Sequence, residues 1–285
     1  MMDALGGPLA TTDWLAEHLG ESGLVVLDGS WHMPDVGRDP KAEYAQGHIP
    51  GAVFFDIDGV SDHTSDLPHM LPAPSDFATA ARRLGVEPDS VVVVYDSLGV
   101  FSAPRVWWSF RTMGHDRVFV LDGGLKKWLA EGHPVEAGWR EAAHGEFKAH
   151  FRPELVRDLG AVRGALDSGS AQLVDARSAA RFRGEAPEPR YGVREGHMPG
   201  ALNAPWSGLV AEDGTLKRPE ALRATFEAAG VDLGRPIVTT CGSGISASIL
   251  ALALAALGRS DVPVYDGSWS EWGAGASGAP VATGP

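Results

Sequence analysis

The chain holds a single cysteine, Cys241, in the stretch 237–247, which reads Ile-Val-Thr-Thr-Cys-Gly-Ser-Gly-Ile-Ser-Ala. A β-branched run precedes it and an Ala/Leu-rich run follows, so the thiol is expected at the carboxyl end of a strand and the amino end of a helix. The free backbone N–H groups and the positive end of the helix dipole at such a place favour thiolate, the nucleophilic form of sulfur. Gly242 and Gly244 let the backbone turn tightly enough for successive amides to point inward as an anion-binding nest. The bland alternative is a buried, inert cysteine, and the glycines and the strand-to-helix position argue against it. A phosphatase loop would need an arginine six positions after the cysteine to grip phosphate, and position 247 is Ala. Phosphoryl chemistry would need a different arginine to substitute, and the placement of Cys241 points to sulfur chemistry.

The elements that must carry this loop occur twice. Gly-His-Ile-Pro-Gly-Ala at 47–52 returns as Gly-His-Met-Pro-Gly-Ala at 196–201, and Leu-Val-Val-Leu-Asp at 24–28 is echoed by Gln-Leu-Val-Asp at 172–175. Val-Leu-Asp-Gly-Gly, with Trp128 after it, matches Val-Tyr-Asp-Gly-Ser, with Trp272 after it. Repetition at about 150 residues is the mark of a duplicated domain. In each half, β-branched runs alternate with helical ones, which calls for a parallel sheet covered by helices on both faces. The first half is expected to place strands near 24–28, 52–55, 91–95 and 117–121, and helices near 12–19, 75–84 and 102–113. Ser75 is the expected N-cap of the middle helix and Gly85 its stop, while Pro219 and Gly230 bracket its counterpart. The expected domains are 1–133 and 153–285, joined by a linker over 134–152, and the Gly- and Ala-rich tail 273–285 is expected to fray. Laid on the second repeat, the first puts Asp96 in the slot of Cys241, so only one half can be nucleophilic. His48 and His197 recur in the same context, which favours a shared structural hydrogen bond over catalysis.

A chain of 285 residues, 44% hydrophobic, can pack both domains. A net charge of -13 argues against nucleic acid or an anionic membrane as partner. One cysteine makes no intramolecular disulfide and the usual zinc spacings are missing; with no signal-peptide pattern at the start, a cytoplasmic setting is expected, with no metal and no cofactor. The apolar stretch 247–257 is too short to span a bilayer and is expected to be a buried helix.

Taken together, the loop Cys241-Gly242-Ser243-Gly244, both Gly-His-(Ile/Met)-Pro-Gly-Ala motifs, Ser102-Ala103-Pro104-Arg105-Val106-Trp107-Trp108, and Arg181-Phe182-Arg183-Gly184 followed by Glu188-Pro189-Arg190 resemble the two-domain sulfurtransferases of the rhodanese superfamily. Within it, Gly242 and Ser243 are similar to the mercaptopyruvate branch; the thiosulfate branch typically carries basic side chains there. The resemblance implies tandem α/β rhodanese-like domains and a persulfide formed on Cys241. It implies Arg181 and Arg190 as the clamp on a carboxylate and a ketone, with Gly242, Gly244, Ile245 and Ser246 lining the donor pocket. It also implies a proton relay of Ser243 with Asp58 and His69. Read without the resemblance, the two arginines are surface residues, His69 a solvated loop histidine and Asp58 the cap of a local turn. The implied partners are a small-molecule sulfur donor and a thiol acceptor, either a thioredoxin-like protein or a low-molecular-weight thiol. Ile245-Ser246 replaces the branch's usual Val-Thr, which leaves thiosulfate open as a slower donor. A persulfide relay carrier, fed by a partner protein, is the rival reading.

Overall fold

The computed structural model describes residues 5–285, which fall into two compact units of the same design. The first contains β1 (Leu9–Ala10), α1 (Thr12–His18), β2 (Leu24–Asp28), α2 (Pro40–Gln46), β3 (Val53–Phe54), α3 (Pro74–Arg83), β4 (Val91–Tyr95), α4 (Ala103–Thr112), β5 (Val118–Leu121) and α5 (Gly124–Ala130). The second contains β6 (Val156–Arg157), α6 (Leu159–Ser168), β7 (Gln172–Asp175), α7 (Ala179–Arg183), β8 (Leu202–Asn203), α8 (Pro219–Ala228), β9 (Ile237–Thr240), α9 (Ile245–Ala256), β10 (Val264–Tyr265) and α10 (Ser268–Trp272). The sheets are parallel and five-stranded, in the orders β1-β5-β4-β2-β3 and β6-β10-β9-β7-β8. Each order is the other with every strand number raised by five, which is the duplication expressed as topology.

Strand alternation sorts the first core into two faces. Val91, Val93 and Tyr95 pack with Leu15 of α1 and Trp128 of α5. Val94 lies on the opposite side, where it and Val106 of α4 both crowd Gly29. Phe55, Phe77, Phe110 and Phe147 form a cluster of tilted and edge-on rings beside α3 and α4. In the second unit α9 is apolar on all sides and almost wholly buried, as a core helix should be. No helix among the described residues is long and apolar enough to cross a membrane.

Several expectations need correction. The cap of α3 is Ala73, not Ser75, because Pro74 takes the first helical position, where its fixed φ and missing N–H suit the helix start. The stretch 134–152, expected as the linker, is packed along the first unit: Glu136 exchanges backbone hydrogen bonds with His48, Phe147 N–H donates to Val86 O, and His150 N–H donates to Met113 O. Residues 63–70, from the first half of the chain, group with the second unit, and 211–216 group with the first. In the latter segment Leu216 N–H donates to Asp122 Oδ1 at 2.7 Å, and Gly214 lies so close to Gly99 that a Cβ there would meet backbone at 2.6 Å. The tail does not fray: Trp272 Nε1 donates to Pro280 O, and Ala282 and His197 exchange backbone bonds. The paired histidines do share a job. His48 stacks on Tyr44 with Nδ1 2.9 Å from Tyr44 O, and His197 stacks on Phe182 with Nδ1 2.8 Å from Phe182 O.

Candidate active site

β7 and β9 run in register so that Asp175 lies opposite Thr240, and the chain leaves β9 at Cys241. The loop Cys241 to Gly244 leads into α9, with Gly244 in the left-handed region (φ 84°) that an L side chain resists. Two amides turn toward sulfur: Gly244 N at 3.1 Å and Ser243 N at 3.4 Å from Cys241 Sγ. Both place positive N–H dipoles where charge on sulfur must be stabilised. The loop is fixed from outside by the start of α10. Ser268 Oγ accepts from Cys241 N–H, Trp269 N–H donates to Cys241 O, and Ser270 donates to Gly242 O through both its N–H and its hydroxyl. Ile245 and Ser246, expected in the donor pocket, form the first turn of α9, and Ile245 is buried.

Arg181 and Arg190 converge on this loop. A Cβ built on Gly242 would lie 3.1 Å from Arg181 Nη2 and 3.8 Å from Arg190 Nη1, so the missing side chain at 242 is the space that both guanidinium groups use. Arg181 is delivered by α7, whose N-cap Ser178 accepts from Arg181 N–H. Arg190 comes from the following loop, and its Nη2 donates to Ser243 Oγ at 3.2 Å and lies 3.5 Å from His69 Nε2. That approach requires Nε2 to be the acceptor nitrogen of the imidazole. His69 is buried with φ 60°, so the solvated-histidine reading does not hold. Ser243, Arg190 and His69 are thus brought together within the second unit. Asp58 belongs to the first unit, where its Oδ2 accepts from Trp31 Nε1 at 3.1 Å.

The sequence reading missed the group that holds Arg181. Arg177, with a fully buried side chain, forks onto Asp175, stacks over Trp269 and donates through Nη1 to Glu188 Oε1 at 2.8 Å. Glu188, almost fully buried, takes Arg181 Nε at 3.2 Å and Nη2 at 2.5 Å. The available signal was the contrast between repeats at the strand end, Asp175-Ala176-Arg177 against Asp28-Gly29-Ser30.

A thiol in a nest of amides, flanked by two arginines and a serine–histidine pair, can attack an anionic donor and hold what leaves. The rhodanese-like domain model matches residues 11–131 and again 158–274. The chain is 50% identical to Escherichia coli 3-mercaptopyruvate sulfurtransferase over 92% of its own length and 93% of that protein. It is 45% identical to the human protein of the same name, across 93% of this chain and 91% of that one, and 45% identical, with the same coverage, to bovine thiosulfate sulfurtransferase. The crystal structure of the E. coli enzyme SseA superimposes with a TM-score of 0.85 at 47% identity, covering 93% of this chain and all of that one. Both halves of the sequence, both sheets and the relatives agree: the chain belongs to the rhodanese family as a tandem, two-domain member.

Proposed function

We propose that the chain is a sulfurtransferase that takes sulfur from 3-mercaptopyruvate onto Cys241 and passes it to a thiol or to cyanide. Identity is 50% to the E. coli mercaptopyruvate enzyme and 45% to bovine thiosulfate sulfurtransferase, and the site favours the same donor. The observation that carries the reading is the pair of guanidinium groups over Gly242, beside a sulfur that two amides face. A basic side chain at 242 would press its Cβ on Arg181 and set a third positive charge beside the two, whereas a 2-keto carboxylate offers oxygens matched to two planar forks.

The Cys241 thiolate attacks the donor sulfur. As the S–S bond forms, the C–S bond breaks and its electron pair moves onto the donor carbon, giving the enolate of pyruvate, which takes a proton and leaves. Arg181 holds the carboxylate. Arg190, next to Ser243 and His69, faces the keto oxygen where negative charge grows, and the Ser243 hydroxyl carries the proton to carbon. Ser243 and Gly244 amides stabilise the persulfide anion. An acceptor thiolate then attacks the outer sulfur and restores Cys241. Thiosulfate is the slower donor, and free thiol acceptors suit a reducing, cytoplasmic setting.

Mass spectrometry after mixing with mercaptopyruvate tests the scheme. One added sulfur atom on the Cys241 peptide is the expected result; an unmodified peptide while pyruvate is released would end it.

A further inference from the structure

We infer that Glu188, backed by the buried Arg177, is a positioning residue that sets the donor affinity of the site by orienting Arg181. The inference rests on the proposed role of Arg181 as carboxylate clamp. A guanidinium on a flexible stem can point many ways, and freezing it costs entropy at each binding event unless the protein has already done so. Here the freezing is done by a chain of charges: Asp175 holds Arg177, Arg177 holds one oxygen of Glu188, and Glu188 takes Nε and Nη2 of Arg181 side-on. Side-on engagement leaves Nη1 and the second proton of Nη2 for a ligand, on the group whose Nη2 overlies Gly242. The four charges alternate and sum to zero, so the buried carboxylate is compensated on both sides. In the first repeat the residue at the Arg177 position is Ser30, which makes no such chain, and that half lacks the cysteine.

The decisive variants are Glu188→Gln, Arg181→Ala and the double variant, with steady-state kinetics on mercaptopyruvate and a separate measurement of persulfide discharge from preloaded enzyme to dithiothreitol. Gln keeps the shape of Glu188 and, with its oxygen in the Oε1 place that Arg177 Nη1 and Arg181 Nε share, sets an NH2 group against Arg181 Nη2 and removes the charge between the two arginines. E188Q is expected to raise KM roughly tenfold with kcat changed by less than about threefold, and to leave discharge unaltered, since that step involves no donor carboxylate. In the R181A background the same change is expected to add nothing, because the residue through which it acts is gone. A normal KM in E188Q, or an equal penalty with and without Arg181, would overturn the inference, the second outcome showing general damage. If R181A alone leaves KM unchanged, the clamp role itself fails, a result distinct from an E188Q that is silent while R181A is impaired. Should E188Q not fold, Glu188→Asp decides by the same comparisons. It keeps the charge but is one methylene too short to reach both arginines, and it is expected to raise KM about threefold only when Arg181 is present.

Discussion

In the first unit the residue that follows β4 is Asp96, and in the second the residue that follows β9 is Cys241; the two sheets place them in the same register, since Tyr95 pairs with Asp28 and Thr240 with Asp175. Asp96 Oδ1 accepts from the amides of Leu98 and Gly99, and Oδ2 from those of Phe101, Ser102 and Ala103, all at 2.9–3.0 Å. Cys241 Sγ accepts from two amides. Both loops are therefore anion nests at the carboxyl ends of parallel strands, where this class of fold offers backbone donors. The carboxylate of Asp96 fills its nest. The sulfur of Cys241 takes two amides where the carboxylate takes five, so the nest belongs to the fold and its chemistry to the residue placed in it.

The largest effect expected from breaking that contrast is at the sulfur. Cys241→Ser keeps a small polar side chain in the nest but cannot form a persulfide, and kcat should fall by at least about a thousandfold with the unfolding midpoint little changed. Retained donor turnover in C241S would dissolve the distinction between the loops. Next comes the other nest. Asp96→Asn sets an NH2 group against amides that already donate, leaving at least two of the five without an acceptor, at about 2–5 kcal/mol. Burial pushes the Asp96 carboxyl above its usual range, against the opposing pull of the amides. Urea denaturation measures the loss, and an unaffected midpoint would mean that the five bonds are not what holds the loop. A smaller effect follows at Gly242, whose backbone needs no special φ. Gly242→Ala should displace the Arg181 guanidinium by a few tenths of an ångström and raise the mercaptopyruvate KM by roughly fivefold, without loss of stability. A KM equal to that of the parent would show that the arginine has room to spare.

Much of this was legible in advance, and the exceptions share a cause. The long strands β2 and β4 and the helices α3, α4 and α9 carry strong patterns, and Cys241 was marked by its neighbours and by its absence from the other repeat. Two-residue strands such as β1 and β6, and the one-turn-and-more helices α2 and α5, are set by what they pair with, so they carry no period of their own. The runs 134–152 and 279–284 are tied by backbone hydrogen bonds, which any side-chain composition permits. Arg181 and Arg190 came from motif resemblance, but what seats them did not: the value of Gly242 lies in an atom it lacks, and Arg177 is a charged residue in a position that composition alone assigns to the surface. The grouping of 63–70 with the second unit is invisible to a repeat comparison, because alignment of the halves assumes that each half folds on itself.

The smallest predicted effect separates the units at a second matched position. Asp28 and Asp175 end equivalent strands, one beside Ser30 and the other forked by Arg177. Burial without a cationic partner pushes the Asp28 carboxyl up to about 6, against the hydrogen bonds from Ser30 that lower it. A carboxyl raised on folding binds its proton more tightly in the native state, so between its unfolded value near 3.8 and its folded value the native chain holds more protons and stability falls as pH rises. From pH 5 to pH 8 this group alone should withdraw about 1 kcal/mol. Asp28→Asn has no proton to lose, so the stability difference between D28N and the parent should shift in favour of D28N by that amount over the same interval, whatever fixed cost the amide carries. Chemical denaturation of both proteins at the two pH values isolates it, since the fixed cost cancels. A difference that does not move with pH would mean that Asp28 is charged throughout the interval and that its burial does not raise its carboxyl.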